Sequence, residues 1–467
     1  MGDTSGSVLP SIEHLSNYFS SDVDDYIELQ ASTERFLKKK GIHFGDDLDI
    51  AVVEAFKSLS ALHKTKPVAL GTKKAYAAQF LQSINIDSHF RELNSNNSES
   101  PHHILPFASV DIAIKPEGDL AILEINDRPL SFGANEIVTH LAKQLINISK
   151  SRPIFLVLPD FISIETAGTT SNFLELETLK GTAAEEITIK RLVALNKLSK
   201  EIHIAGGSAI MVPASEVEVD ESNEAIFKGV RAGAIFNYSE LFPRRLLSTP
   251  VLNDSRARLL CLDKYSTFNI LSGCFEKRFL PETFILEDNN EKLIDFLSAI
   301  LHANEKVFVK NRIGTSAVGA GKVPAQAVLS HSDNLEKQFG DCVIQECIDL
   351  PCLSVGGKDY RFDITVGVLF GKAVSIRLNT AAAPVDSLKE HPLNYITTMG
   401  RKFSAGHVEG ISSDVTDFIN LLAEKAVKEM SKAVETVEYT DALEFSESYL
   451  ERYSDDESLI SGLNAKF

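Results

Sequence analysis

The sequence predicts a mixed α/β (α+β) protein, and three observations carry that expectation. Between 151 and 250, short apolar runs (PIFLVLP, EIHIAGG, AGAIFNY) stand between helical stretches, the pattern of strands paired in parallel. Residues 109–126, SVDIAIKPEGDLAILEIN, read as two strands about a PEGD turn, which demands antiparallel pairing. A third run, YRFDITVGVLFGKAVSIRL, has the composition of a long strand pair.

At 467 residues the chain exceeds one compact core, so two or three domains are expected. Five stretches follow from the texture: a mainly helical region 1–103, a strand-hairpin segment 104–150, an α/β domain 151–250, a mixed region 251–410, and a C-terminal helix and polar tail 411–467. In the first, IAVVEAFKSLSALHK and KKAYAAQFLQSI carry helical spacing. NSNNSES at 94–100 reads as an exposed loop. EIVTHLAKQLINISK is an amphipathic helix, and KVFVK and CVIQECI are strands.

No run of 18 apolar residues exists and the start lacks a basic and an apolar stretch, so a cytoplasmic protein without a membrane span is expected. Five cysteines, an odd and irregular set, read as reduced thiols. The formal charge of −18 opposes a broad grip on nucleic acid or an anionic membrane, whereas a small anion can still be held by local Lys and Arg.

The hairpin is the most informative segment. With Glu117-Gly118 as a two-residue loop, Lys115 pairs with Leu120, Ala113 with Ile122, and Asp111 falls opposite Glu124. Asn126 shares their face, while Val110, Ile112, Ala121, Leu123 and Ile125 form the core face. Opposed carboxylates repel unless something compensates. Oxygen ligands from Asp111, Glu124 and Asn126 suit a hard cation such as magnesium; a solvated polar stripe is the plainer alternative.

Residues 305–323, EKVFVKNRIGTSAVGAGKV, are a strand ending at Lys310 and then a loop with Gly314, Ser316, Gly319 and Gly321. Small residues let backbone N–H groups approach phosphate oxygens, although a structural turn has the same composition. Walker A spacing is absent, since Ala320 rather than Lys follows Gly319. Period two in DYRFDI puts Asp359, Arg361 and Asp363 on one strand face.

These pieces together resemble the ATP-grasp superfamily. The resemblance implies that Lys310 lies beside the nucleotide, that the loop of Gly314, Ser316, Gly319 and Gly321 closes on the phosphates, and that Gln345-Glu346-Cys347-Ile348 supplies the adenine hinge, with Asp349 against the ribose. Lys264, in LLCLDKYSTFNIL, is the second nucleotide lysine, and Arg361 and Arg377 are the candidate catalytic contacts to phosphate or substrate. In the family the metal motif, an acid followed by E-x-N, normally comes after the central strand pair. Here Asp111, Glu124 and Asn126 precede it, in the order of the circularly permuted members, eukaryotic glutathione synthetase and the glutathionylspermidine synthetase group. The likeness covers residues 104–140 and 230–410, with 151–250 an intervening α/β substrate-side domain. One departure is that eukaryotic glutathione synthetase carries a Glu in its glycine-rich loop, and this loop has none.

The resemblance implies an ATP- and Mg2+-dependent carboxylate–amine ligase: ATP phosphorylates a carboxylate, and an amine displaces phosphate to give an amide. The substrates would be small molecules, with a homodimer as one option for assembly. A kinase or thiol ligase of the same fold, or a nucleotide-binding scaffold, is the alternative. His391 and His407 read as loop residues rather than general bases.

Overall fold

The computed structural model describes residues 75–76, 105–127, 135–158, 195, 197–239, 241–286, 291–301, 306–313, 320–330, 341–355, 357–381, 383–385, 397, 402–404, 408–409 and 412–454. The chain divides into two compact units, one of Met1–Ala69, Leu130–Ser255 and Ser446–Ser454, the other of Leu70–Pro129, Arg256–Phe445 and Asp455–Phe467. Of the mainly helical region expected over 1–103, only 75–76 fall within the described residues. The exception, β1 (Ala75–Tyr76), is a strand and not helix, because it pairs with two strands of a large sheet.

That sheet lies in the second unit. With β1 it comprises β2 (Phe107–Ile114), β3 (Leu120–Asn126) at an edge beside β2, β15 (Cys352–Val355), the long β16 (Lys358–Leu369), β17 (Lys372–Thr380), β18 (Lys402–Ser404) and β19 (Val408–Glu409). β16 pairs antiparallel with β17 along one edge. Its other edge is shared: β15 takes Lys358–Arg361 and β2 takes Ile364–Leu369. Alternation sends Tyr360, Phe362, Ile364, Val366 and Val368 into a core with Val110, Ile112, Ile122 and Ile125. Three helices cover that face, α2 (Ser255–Leu262), α3 (Lys264–Ser272) and α6 (Ser413–Val434), the last through Phe418, Leu422, Ala426 and Met430. The opposite face carries Asp111, Asp363, Thr365, Arg377 and Asn379 by alternation.

The hairpin differs from expectation in an instructive way. Lys115 and Asp119 close a three-residue loop, Pro116-Glu117-Gly118, through hydrogen bonds Lys115 N–H to Asp119 O (2.8 Å) and Gly118 N–H to Lys115 O (2.9 Å). Gly118 takes φ 94°, a conformation that favours glycine and closes a three-residue hairpin. The pairs become Ile114 with Leu120 and Ala113 with Ala121, one step out of the expected register. A bulge then leaves Leu123 without a cross-strand partner and returns Glu124 to the position opposite Asp111. The core face therefore takes Leu120 and Ile122 instead of Ala121 and Leu123.

A second sheet in the same unit, in order β11 (Thr283–Ile285), β14 (Cys342–Glu346), β12 (Lys306–Asn311), β13 (Ala320–Pro324), is wholly antiparallel. Val307, Val309, Cys342 and Ile344 pack on α4 (Glu291–Leu301) and α5 (Ala325–Ser330). The alternate residues Phe308, Lys310, Val343 and Gln345 form its other face.

In the first unit, α1 (Asn135–Ser149) precedes a parallel sheet in the order β10 (Val251–Leu252), β9 (Ala234–Asn237), β4 (Ile154–Leu158), β5 (Ala209–Pro213). PIFLVLP and AGAIFNY are strands as expected. EIHI is not: residues 197–204 are helical, with Leu195, Leu198 and Ile202 all buried at helical spacing. A small meander, β6 (Glu218–Val219), β7 (Ala225–Phe227) and β8 (Val230–Arg231), follows β5, with Asp220 accepting from the backbone of Ser222 and Glu224. The chain ends its described part in α7 (Tyr439–Ser454). Among the described residues no helix is long and apolar enough to cross a membrane, and all five cysteines are free thiols.

Candidate functional site

Cross-strand registers assemble the site on the polar face of the large sheet. Glu124 lies opposite Asp111, Asp111 opposite Thr365, Thr365 opposite Arg377, and Arg377 opposite Ser404. One row thus runs across β3, β2, β16, β17 and β18. Directly opposed residues share a face, so this row brings two carboxylates and a guanidinium together although the chain separates them widely. Next to it, Asp363 lies opposite Asn379, and Ser109 opposite Asn126.

Hydrogen bonds join the rows. Asn126 Nδ2 donates to Asp111 Oδ2 at 3.2 Å, and Thr365 Oγ1 donates to Asp111 Oδ1. Asn379 Nδ2 donates to Asp363 Oδ1 (2.8 Å) and to Thr365 Oγ1, and Thr397 Oγ1 donates to Asp363 Oδ2. Asp363, Thr365, Asn379 and Thr397 are all buried. The Asn379 Oδ1 acceptor is buried and has no hydrogen-bond partner among the described residues. Such an orphan needs a water, an ion or a ligand to offset its desolvation.

Electrostatics mark the same place. Burial, reinforced by the charges of Asp363 and Glu124, pushes the Asp111 carboxyl up to about 7, against the opposing pull of Thr365 and Arg377. Burial also lowers Arg377 despite its attraction to Asp111 and Asp363. From the second sheet, Lys310 is brought down to about 8 by burial, with Lys264 adding to the fall and Glu124, Asp111 and Asp363 opposing it. Lys264, first residue of α3, is lowered chiefly by burial, and Glu124 again opposes. Three acids (Asp111, Glu124, Asp363) and three cations (Lys264 on α3, Lys310 on the second sheet, Arg377 on the large sheet) are thus close enough to shift one another.

Lys310 Nζ donates to Gln345 Oε1 at 2.6 Å, and Gln345 Nε2 donates to Thr283 Oγ1 at 3.1 Å. Gln345 is 2% exposed, so its amide is committed to the lysine and not to solvent. Glu346 meets Lys115 of the hairpin turn at 3.4 Å and accepts from the Glu282 N–H. β14 ends at Glu346, and Cys347, Ile348 and Asp349 continue without regular structure. Asp349 pairs with Arg361 at 3.2 Å. Arg361 shares the site face of β16 by alternation, but its partner is Asp349, whereas Arg377 acts on Asp111 and Asp363.

Gly321, expected in the loop, instead lies in β13 and pairs with Val309, whereas Gly314, Ser316 and Gly319 lie outside the described residues, as do His391 and His407. Thr365, Asn379 and Thr397 were not singled out by the sequence, nor was a pair joining Asp263 to Arg312. Asp263 Oδ1 and Oδ2 accept from Arg312 Nε (3.0 Å) and Nη2 (2.7 Å). Its signal was present as Asp immediately before the run KYSTFNILS, a helix N-cap pattern.

No protein-family model matches the chain, and no curated protein does. Solved structures with a detectable likeness include a protein described as a gamma-glutamylcysteine synthetase from Methylobacillus flagellatus KT (TM-score 0.44, 12% identity, 75% of this chain and 93% of that one). Others are D-alanyl-alanine synthetase A of Vibrio cholerae O1 (0.35, 12%, 60% and 81%) and the VanG D-Ala:D-Ser ligase of Enterococcus faecalis (0.34, 13%, 60% and 83%).

Proposed function

We propose that this chain is an ATP-dependent carboxylate–amine ligase of the ATP-grasp type, working through an acyl phosphate, with its halves in permuted order. The observation that supports it most is the row Glu124–Asp111–Thr365–Arg377 set against Lys264 and Lys310. Permutation rests on chain order: the β2–β3 hairpin precedes β12 and β14 in sequence yet pairs with the C-terminal half of β16.

Among the described residues no group of three or more His, Cys, Asp and Glu is arranged as a metal site. The donor set that fits a cation here is mixed. Asp111 and Glu124 repel each other, Asn126 spends its amide N–H on Asp111 and keeps its Oδ1, and all the ligand atoms are oxygen. That is the chemistry of a hard ion such as Mg2+. When bound it would offset the acidic pair and the charge of the nucleotide phosphates.

The protein's own groups carry the rest of the reading. Lys264 and Lys310 bind phosphate oxygens, and the backbone at 346–348 receives the base, since the Gln345 side chain is already committed. Arg377, half-buried and attracted to Asp111 and Asp363, would hold the transferring phosphoryl group and then the oxyanion formed as the amine attacks. ATP gives its γ-phosphoryl to a carboxylate, ADP leaves, and the amine expels phosphate as the amide forms. Small carboxylate and amine substrates are thereby implied.

A screen of pooled acids and amines for ADP or phosphate release tests this. Release that requires both partners supports the ligase. Tight MgATP binding with no turnover would replace it with a nucleotide-binding scaffold, and absence of ATP binding would overturn the site itself.

A further inference from the structure

Asp263 and Arg312 take no part in the chemistry above, yet they join the elements that carry the two lysines. Asp263 lies between α2 and α3 and is 4% exposed. It caps α3, accepting from the N–H groups of Tyr265 (3.1 Å) and Ser266 (3.3 Å) and from Ser266 Oγ (2.7 Å). The same carboxylate takes both arms of the Arg312 fork. Backbone contacts reinforce the junction: Lys264 N–H donates to Arg312 O at 3.1 Å, and Asp263 bridges Ile313 antiparallel. Arg312 is tied in turn to β14's approach by its N–H to Asp341 O at 2.7 Å. Burial would raise the Asp263 carboxyl, but Arg312 and Ser266 overcome it and hold the group below its ordinary range, so it stays ionised.

A helix cap needs only an acceptor near the first N–H groups, and Asp263 meets that need without Arg312. The fork does something else. Lys264 follows Asp263 directly, and Lys310 stands two residues before Arg312. Their ammonium groups repel, since Lys264 depresses Lys310. Two like charges on separate elements move apart unless something fixes those elements together. A planar, bidentate, charge-assisted pair is a rigid tie of that kind.

We propose that Asp263 and Arg312 are positioning residues that hold Lys264 and Lys310 at the spacing of one polyphosphate. The inference rests on the ATP reading above. It requires that breaking the fork weaken binding of ligands with β- and γ-phosphates while sparing those without.

The test uses the full chain and calorimetric titration of ATP, ADP and AMP with Mg2+ present, comparing wild type with D263N, R312K and R312M. Asn remains a good helix cap but loses the charged fork, and Lys keeps the charge without the fork. All three variants should lose at least tenfold in ATP and ADP affinity, with AMP changed less than twofold. Equal losses for all three nucleotides, or none in D263N and R312K, would show a merely structural junction and overturn the proposal. Should R312M fail to fold, D263N and R312K decide alone. Wild type that binds no ATP would instead defeat the ATP reading, which keeps the two failures distinct.

Discussion

Two sets of charged groups in the second unit differ in balance: acids with Arg377 on the large sheet, and Lys310 among Phe308, Val343 and Gln345 on the smaller one. On the large sheet, the row from β3 to β17 concentrates Asp111 and Glu124, with Asp363 one pair further along β16. On the smaller sheet, β12 and β14 present Lys310 beside Gln345. Each face is strained by burial in its own way: Asp111 is driven toward its neutral acid and Lys310 toward its neutral amine. A site that only stabilised the fold would gain more from apolar residues at these positions. On the reading proposed above, each set would be completed by a ligand of opposite charge, a cation for the acids and a polyanion for the lysines.

The acidic face should break most severely. Glu124→Ala removes an oxygen donor from the proposed cation set, and Mg2+-dependent turnover should fall by roughly 10³-fold or more with the fold retained, as circular dichroism would show. Unchanged turnover would remove Glu124 from the metal assignment. The lysine face should respond less. Lys310→Ala deletes one charge-assisted contact, so ATP affinity should drop roughly 10- to 100-fold by titration. Nucleotide affinity equal to wild type would detach β12 from the phosphates.

Acidity gives a comparison of the two faces within one molecule. Asp111 holds its proton in the fold up to about 7 but ionises near 3.8 when unfolded. The native state therefore binds more protons in that window, and metal-free stability should decline as pH rises from near 4 to near 7, then flatten. A cation must displace that proton, so the apparent Mg2+ affinity should climb about tenfold per pH unit below 7 and level off above it. Thermal shifts measured with and without Mg2+ from pH 5 to 8 would show both trends. In Asp111→Asn the metal-free decline should vanish.

Legibility in the sequence followed how local the determinant was. Asp111, Glu124 and Asn126 could be read because period two and one turn fix their face. Their facing survived a wrong loop length only because the bulge at Leu123 cancelled the extra loop residue. The face of Asp363 was legible from DYRFDI for the same reason. Asn379 was not, because the register shift between Gly367 and Val368 is what puts it opposite Asp363, and Thr397 meets Asp363 from 34 residues further along the chain. Asp263 and Arg312 lie 49 residues apart on different elements. EIHI misled because its alternating isoleucines fit a strand, whereas the deciding stripe of Leu195, Leu198 and Ile202 spreads over a longer window. Ile204, 65% exposed, is the residue a strand reading would have buried.

The smallest effect expected is also the one that separates charge from contact on the lysine face. Gln345 Oε1 accepts from Lys310 Nζ, which favours the charged amine, while its Nε2 is held by Thr283. Because Lys310 titrates near 8 in the fold, ATP affinity in wild type should weaken as pH rises through that value. Gln345→Leu deletes the acceptor without adding charge, so this alkaline limb should move to lower pH, with about a three- to tenfold loss of affinity near pH 8. Gln345→Glu places an anion at the same distance and should move the limb upward, since an opposite charge stabilises the ammonium. Titrations of ATP from pH 7 to 9.5 in the three proteins would measure the displacement. Limbs that coincide in all three would mean that Gln345 does not set the protonation of Lys310, and that the fall in affinity belongs to another group on this face.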